Sequence, residues 1–391
     1  MPHHQYLIVG GGMAADAAVR GIREVDSGGS IGLIGEETAP PYKRPPLTKA
    51  LWKGDPVESI WLGSEKLGVE VHLGRRVEAL DLRGKAVVVG GETFSTFDKL
   101  LLATGGTPRR LAFGDGFIYY RWFTDYERLR ALTERAQSFA VVGGGFIGSE
   151  IAAALAMNQR EVTMFFPDET IGPRVFPKSL GRFVNGYYRD KGVKLLAGES
   201  VVGAEKKDGR TALQIKSGAE SRFDGVIVGI GIQPNGDLAA KAGLAVENGV
   251  VVNELLQTDH PDVYAAGDVA NFFNPALGSR LRVEHEDNAL TMGRIAGRNM
   301  AGEKEPYRHL PFFYSDLFEL GYEAVGDVDA RLQTVEDWKE PNREGCVYYL
   351  RDGRVRGVLL WNVWNQVDAA RDLIGQPGPF RPEDLKGRLP A

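Results

Sequence analysis

Short uninterrupted apolar runs alternate with alanine-rich helical stretches, and glycines stand at the junctions. YLIV runs into GGG and then MAADAAVRGIREV; FAVV runs into GGG and then FIGSEIAAAL. SIGLIG and EVTMFF follow these two helices as further apolar runs. Continuous apolar runs of this length predict parallel strands buried on both faces. KLLLATGG at 99–106, GVIVGIGIQPN at 225–235 and DVYAAGDVA at 262–270 repeat the strand-to-glycine pattern, and VVVGGETF at 87–94 reads as a β-hairpin insertion. From about residue 310 the pattern changes to aromatic, alternating segments, with RDGR as a hairpin turn, VDAARDLIG as a helix and a turn-rich tail expected to trail over the surface.

The first glycine loop meets the dinucleotide fingerprint as Gly10-x-Gly12-x-x-Ala15, since the third position needs only a small residue for close helix packing. SIGLIG then ends at Glu36, placed to accept from ribose hydroxyls. The second loop is Gly143-x-Gly145-x-x-Gly148; Phe166 holds its strand-end position, and the nearest acid is Asp168. One such loop cradles one dinucleotide, so two imply two dinucleotides. Asp268 in AAGD follows a strand end, where a carboxylate can grip a polyol hydroxyl.

Composition narrows the class. A chain of 391 residues predicts two or three domains, and 50 glycines exceed ordinary usage. Net charge of -5 gives no drive toward nucleic acid. No apolar run reaches the length of a membrane span, and the first strand begins by Tyr6, so no leader and a cytoplasmic location are expected. The single cysteine, Cys346, excludes an internal disulfide and a redox dithiol, and reads as a buried structural thiol. No metal-ligand set is read from the sequence.

The ordered set GGG, RPPLTK, ATGG, GGGFIGSE, GIGIQPN and AAGD resembles the FAD-dependent pyridine nucleotide oxidoreductases of the glutathione-reductase fold. Within them the chain resembles the apoptosis-inducing factor group, related to ferredoxin and rubredoxin reductases and monodehydroascorbate reductase. PPYKRPPLTKALW, LRVEHEDNALTMGRIAGRNMAGEKEPY and YYLRDGRVRGVLLWNVWN carry that likeness over nearly the whole chain. The implied fold is α/β, with two Rossmann-type dinucleotide-binding domains and a C-terminal α+β domain. The expected boundaries are 1–113 with 237–310 for FAD, 114–236 for NAD, and 311–391 for the third domain.

The resemblance implies an FAD set of Gly10, Gly11, Gly12, Met13, Ala14, Glu36, Glu37, Arg44, Lys49, Val77, Arg109 and Asp268, with Glu284 and His285 nearer the flavin ring. It implies an NAD(H) set of Gly144, Gly145, Phe146, Ile147, Glu150, Asp168, Arg174, Gly231, Tyr314, Glu323 and Asn365. Lys49, Glu150, Phe146 and His285 are its catalytic group, with Phe146 near the nicotinamide. Lys49 and Glu150 are expected to pair beside the flavin and to bridge the two nucleotide domains. Asp168 favours NADH, while Arg174 offers a partner for a 2′-phosphate.

Two departures limit the likeness. Tyr314 stands where apoptosis-inducing factor has a tryptophan, and Arg308 also replaces an aromatic. The short stretch between Gly326 and Cys346 holds no long regulatory insertion, so a role in cell death does not carry over. The implied reaction is hydride transfer from NADH to flavin N5. With no dithiol, electrons then pass directly to an acceptor: a ferredoxin, a rubredoxin, a quinone or a small oxidant. The alternative is a low-turnover NADH-responsive redox sensor. A monomer or homodimer is expected, without nucleic acid or a membrane span.

Overall fold

The computed structural model describes residues 1–389. The chain forms two compact units. The first comprises Met1–Arg44, Val57–Thr107 and Gln233–Pro311; the second comprises Pro45–Pro56, Pro108–Ile232 and the chain from Phe312 onward. The architecture is α/β and of the glutathione-reductase type.

In the first unit, strand His3–Val9 lies between Ile31–Ile34 and Glu92–Leu102, parallel to both, with Val69–His72 beyond Ile31–Ile34. Val263–Ala265 joins Glu92–Leu102 in parallel. The expected hairpin is present, as Ala86–Val89 pairs antiparallel with Glu92–Leu102. Leu7, Ile8, Leu33, Leu100 and Leu101 are inaccessible to water, as runs apolar on both faces require.

Helix Met13–Val25 covers this sheet through its alanines and packs against helix Glu286–Met300 at backbone distance. A Cβ on Gly293 would lie 2.3 Å from the Ala14 carbonyl oxygen, and one on Gly297 2.1 Å from that of Ala18. Only glycines one helical turn apart allow that approach.

In the second unit, a parallel sheet runs Lys194–Ala197, Glu161–Phe166, Ser138–Val142, Gly225–Val228, Ile118–Tyr119. A second, antiparallel sheet runs Phe312–Leu317, Leu320–Gly326, Arg354–Trp361, Glu344–Arg351, Gln333–Glu340, with RDGR as a hairpin turn. Aromatic packing ties the second sheet to the segment and helix Lys178–Asp190 that follow Glu161–Phe166: Phe176 meets Tyr322 at 5.3 Å and Trp361 at 5.5 Å between ring centroids, and Tyr188 meets Phe318 at 5.1 Å.

By contact, the C-terminal segment and residues 45–56 fall in the unit of the second glycine loop. One observation revises the sequence expectation. The tail is anchored, because Leu385 and Leu389 are buried and the Leu389 amide donates to the Tyr348 hydroxyl at 3.3 Å. Among the described residues no helix is long and apolar enough to cross a membrane.

Candidate functional site

In the first unit, Gly10 turns the chain out of its strand with φ +128, and a Cβ there would lie 2.1 Å from the Ala103 carbonyl oxygen. Glycine is therefore obligatory. Gly12 caps helix Met13–Val25 with extended backbone and no side-chain cap, so the helix N-terminus offers backbone N–H groups and positive potential to an anion. Arg44 lies beside this loop, its Nη2 3.9 Å from where a Gly12 Cβ would be. Burial opposes its charge, but Tyr42, Glu37 and Asp268 together raise its pKa, so the loop is lined by a permanent cation. An uncapped helix end with a fixed arginine fits a pyrophosphate.

Glu37 is committed to this arrangement. It accepts from Arg44 at 2.5 Å and from the Tyr42 hydroxyl at 2.7 Å. Glu36 is exposed at the strand's end, 3.5 Å from Arg76, and is the carboxylate open to a ligand. Val77 is buried. Asp268 lies in the short turn Gly267–Val269 before strand Ala270–Asn274, and its carbonyl accepts from Arg282, which also pairs with Glu284 at 2.6 Å. His285 caps helix Glu286–Met300. Gly10 to Ala14, Glu37, Arg44 and Asp268 thus share one unit; Lys49 and Arg109, expected with them, lie in the other. The Arg109 amide there donates to the Gly231 carbonyl at 2.9 Å.

The second unit repeats the cradle. Gly143 has φ +118, and a Cβ there would sit 2.2 Å from the Gly229 carbonyl oxygen. A Cβ on Gly148 would lie 2.1 Å from the Gly143 carbonyl oxygen, whereas one on Gly145 meets nothing within 4 Å. The three glycines thus turn the chain, open the loop and allow close helix packing. Helix Phe146–Met157 also lacks a side-chain cap. Phe146 and Ile147 are part-exposed at its start, and the Phe146 ring meets Phe313 edge-on at 5.1 Å. Gly144, on the other side of the loop, backs onto Phe166.

Glu150, on the first turns of that helix, is buried and holds three partners from distant segments. Lys49 Nζ lies 2.6 Å from its Oε1, the Ser315 hydroxyl donates to Oε1 at 2.6 Å, and the Thr48 hydroxyl donates to Oε2 at 2.5 Å. Lys49 also lies 5.2 Å from the centre of the Tyr314 ring. Burial, then the Glu150 carboxylate, push the Tyr188 and Tyr322 phenols well above their ordinary range. Lys49 and Glu150, expected to pair, form this ion pair within the second unit.

Glu323 pairs across the strands with Tyr314, and its Oε2 is buried without a hydrogen-bond partner. Burial pushes this carboxyl up. An orphaned acceptor fits a ligand that brings a donor. Asp168 and Arg174 are exposed near the strand end, and their carbonyls accept from Gly198 at 2.9 Å and Ala330 at 2.7 Å. Asn365 is exposed with φ +63.

Sequence reasoning missed Thr48, Ser315, Tyr42 and Asp16. Asp16 is buried, accepting from Ser64 at 2.7 Å and Arg20 at 2.8 Å, and fixes the first glycine-loop helix. Thr48 adjoins Lys49 in RPPLTK, and GRIAG spaces Gly293 and Gly297 by one turn, so both left a signal; Ser315 left none.

The family model described as pyridine nucleotide-disulphide oxidoreductase matches residues 4–293, and that of the apoptosis-inducing factor, mitochondrion-associated, C-terminal region matches 296–344 and 336–376. The chain is 35% identical to apoptosis-inducing factor 1, mitochondrial, of Dictyostelium discoideum, over 95% of this chain and 78% of that protein. It is 36% identical to the 5,5'-dehydrodivanillate O-demethylase ferredoxin reductase subunit of Sphingobium sp., over 91% and 89%. It spans 63% of the length of a mitochondrial apoptosis-inducing factor relative in Drosophila melanogaster. A solved covalent putidaredoxin reductase–putidaredoxin complex is similar, with TM-score 0.90 at 30% identity, covering 98% of this chain and 95% of that one.

Proposed function

Since the chain belongs to the pyridine nucleotide-disulphide oxidoreductase family, with FAD and NAD(H) as its cofactors, we propose that it is an NADH-dependent reductase of a small iron–sulfur electron carrier. The observation that carries this reading is the state of its one cysteine. Cys346 is buried on strand Glu344–Arg351, and burial pushes its thiol up to about 12. It is neither a dithiol nor an accessible thiolate. Electrons must therefore leave the flavin directly. Ferredoxin and putidaredoxin reductases among the similar proteins suit such an acceptor.

Bound FAD supplies hydride acceptance from NADH at N5 and one-electron release. The chain's own part is to bind, orient and set charge. Gly10 to Ala14 and Arg44 would hold the FAD pyrophosphate, with Glu36 for its adenosine ribose and Asp268 for its ribityl hydroxyls. Gly144 to Ile147 would hold the NAD phosphates, with Asp168 for the adenosine ribose and Glu323 for the carboxamide. Glu150, which also accepts from the Thr48 and Ser315 hydroxyls, keeps the Lys49 ammonium fixed, and such a held cation would supply positive charge to a bound cofactor.

A second reading is a low-turnover NADH-responsive redox sensor, favoured by the C-terminal match to the apoptosis-inducing factor region. One experiment separates the two. The FAD-loaded protein is reduced anaerobically with NADH and mixed with a [2Fe–2S] ferredoxin, a rubredoxin, a quinone and ferricyanide. Rapid reoxidation by an iron–sulfur carrier supports the reductase; a long-lived reduced form with every acceptor refutes it and supports the sensor. Cys346→Ser should leave reoxidation by the carrier unchanged.

A further inference from the structure

We propose that His4, Glu70 and His72 form a binding site for a divalent transition-metal ion such as zinc, outside the residues assigned to either cofactor. Their ligand atoms all lie within 4.8 Å of one another. His4 Nε2 is 3.0 Å from Glu70 Oε2, and His72 Nε2 is 3.0 Å from Glu70 Oε1.

The sheet creates this grouping. Glu70 and His72 are two residues apart on edge strand Val69–His72 and so share a face. His4 lies two strands away, with Ile31–Ile34 between, where Gly32 stands in register with Glu70. A Cβ on Gly32 would come within 2.8 Å of His4 Nδ1. The glycine leaves room for the imidazole to cross the intervening strand and reach the edge.

One buried nitrogen is left over that a cation would satisfy. His4 Nδ1 shares a hydrogen bond with the Ser95 hydroxyl at 2.9 Å, and its Nε2 reaches Glu70 Oε2 at 3.0 Å. His72 Nε2, 3.0 Å from Glu70 Oε1, is buried without a hydrogen-bond partner. A metal ion takes all three groups as ligands, the two Nε2 lone pairs and the carboxylate.

The chemistry suits zinc: two neutral imidazoles and a carboxylate, with the buried His4 oriented through its other nitrogen by Ser95. The Phe94 ring meets His72 edge-on at 4.9 Å and holds the second imidazole. The Glu70 side chain is 55% exposed, leaving an entry path and a place for water as fourth ligand. Such an ion would tie the strand that leads into Gly10 to the edge strand, whose His72 carbonyl accepts from the Gly35 amide at 2.9 Å.

The test uses the full-length, FAD-loaded protein, treated with chelator, dialysed and titrated with zinc in competition with a chromophoric chelator. Thermal unfolding is followed with and without zinc. We expect stoichiometric uptake, a rise in Tm with zinc, and more than about tenfold weaker binding in both His72→Ala and Glu70→Gln, the loss that already follows from changing an outer partner. His260→Ala, outside the cluster, should bind as wild type does. Retained flavin absorbance shows that each variant is folded, and the exposed Glu70 makes its substitution the milder of the two. No uptake by wild type, or equal affinity in wild type and both cluster variants, overturns the proposal.

Discussion

Lys49 Nζ lies 2.6 Å from Glu150 Oε1, although 101 positions separate the two residues in the chain, and both side chains are almost fully withdrawn from water. The Thr48 and Ser315 hydroxyls complete the carboxylate's shell. A buried carboxylate with a cation and two donors is satisfied; without the cation it is a buried charge in deficit.

Lys49→Ala should therefore destabilise the protein by about 3 to 5 kcal/mol in urea unfolding, the typical cost of breaking one side of a buried pair. In the folded, FAD-loaded variant, reduction at saturating NADH should slow by up to about a hundredfold. Glu150→Ala should slow the same step, and the double variant should lose less than the two singles added together. Stopped-flow rates equal to wild type in both singles would remove the pair from catalysis.

Two glycines of the second loop should respond in opposite ways. Gly148→Ala forces a Cβ to within 2.1 Å of the Gly143 carbonyl oxygen and should lower stability by about 1 to 3 kcal/mol or more. Gly145→Ala meets nothing within 4 Å and should leave stability within about 0.5 kcal/mol of wild type. Its methyl group enters the dinucleotide cradle, so KM for NADH should rise. A thermal melt and a KM for each variant check the split.

The exposed Asp168 carboxylate at the second nucleotide strand should repel a 2′-phosphate and accept from ribose hydroxyls. NADH should be preferred over NADPH by roughly tenfold to a hundredfold in kcat/KM, and Asp168→Ala should erase most of that ratio. Equal kcat/KM for both cofactors in wild type would show that this carboxylate does not select.

Asp262 accepts from Lys99 at 2.5 Å and Lys85 at 2.7 Å, and these hydrogen bonds hold its carboxyl below the usual carboxylate range. Because the folded pKa is the lower one, this stabilisation is fully present above the unfolded value of about 3.9 and is lost as pH falls through the folded value. Asp262→Asn should be less stable than wild type near neutrality, and the gap should close below about pH 4. Urea midpoints across that range would reveal it; a gap independent of pH would mean the lysines contribute nothing through charge.

Local rules were enough for the cradles and the fold class. Gly10 and Gly143 are dictated by the positive φ of their turns and Gly148 by a backbone approach five residues away, and continuous apolar runs such as YLIV and FAVV, each ending in a glycine turn, predict strands covered on both faces. The buried, solitary Cys346 was legible for the same reason, since its neighbours CVYYL already form an apolar strand.

Tertiary structure decided what depends on segments far apart in the chain. Nothing in the sequence tells that Thr48 donates to Glu150 and Trp52 to Tyr120, or that Ser315 donates to Glu150; the first two follow from the packing of residues 45–56 beside helix Phe146–Met157, the third from the antiparallel C-terminal sheet. The tail looked like surface by composition, yet Leu385 and Leu389 anchor it, because burial of two side chains outweighs the turn-forming character of their neighbours. His4 and His72 met because a glycine stands on the strand between them, a coincidence of register that only pairing across the sheet creates.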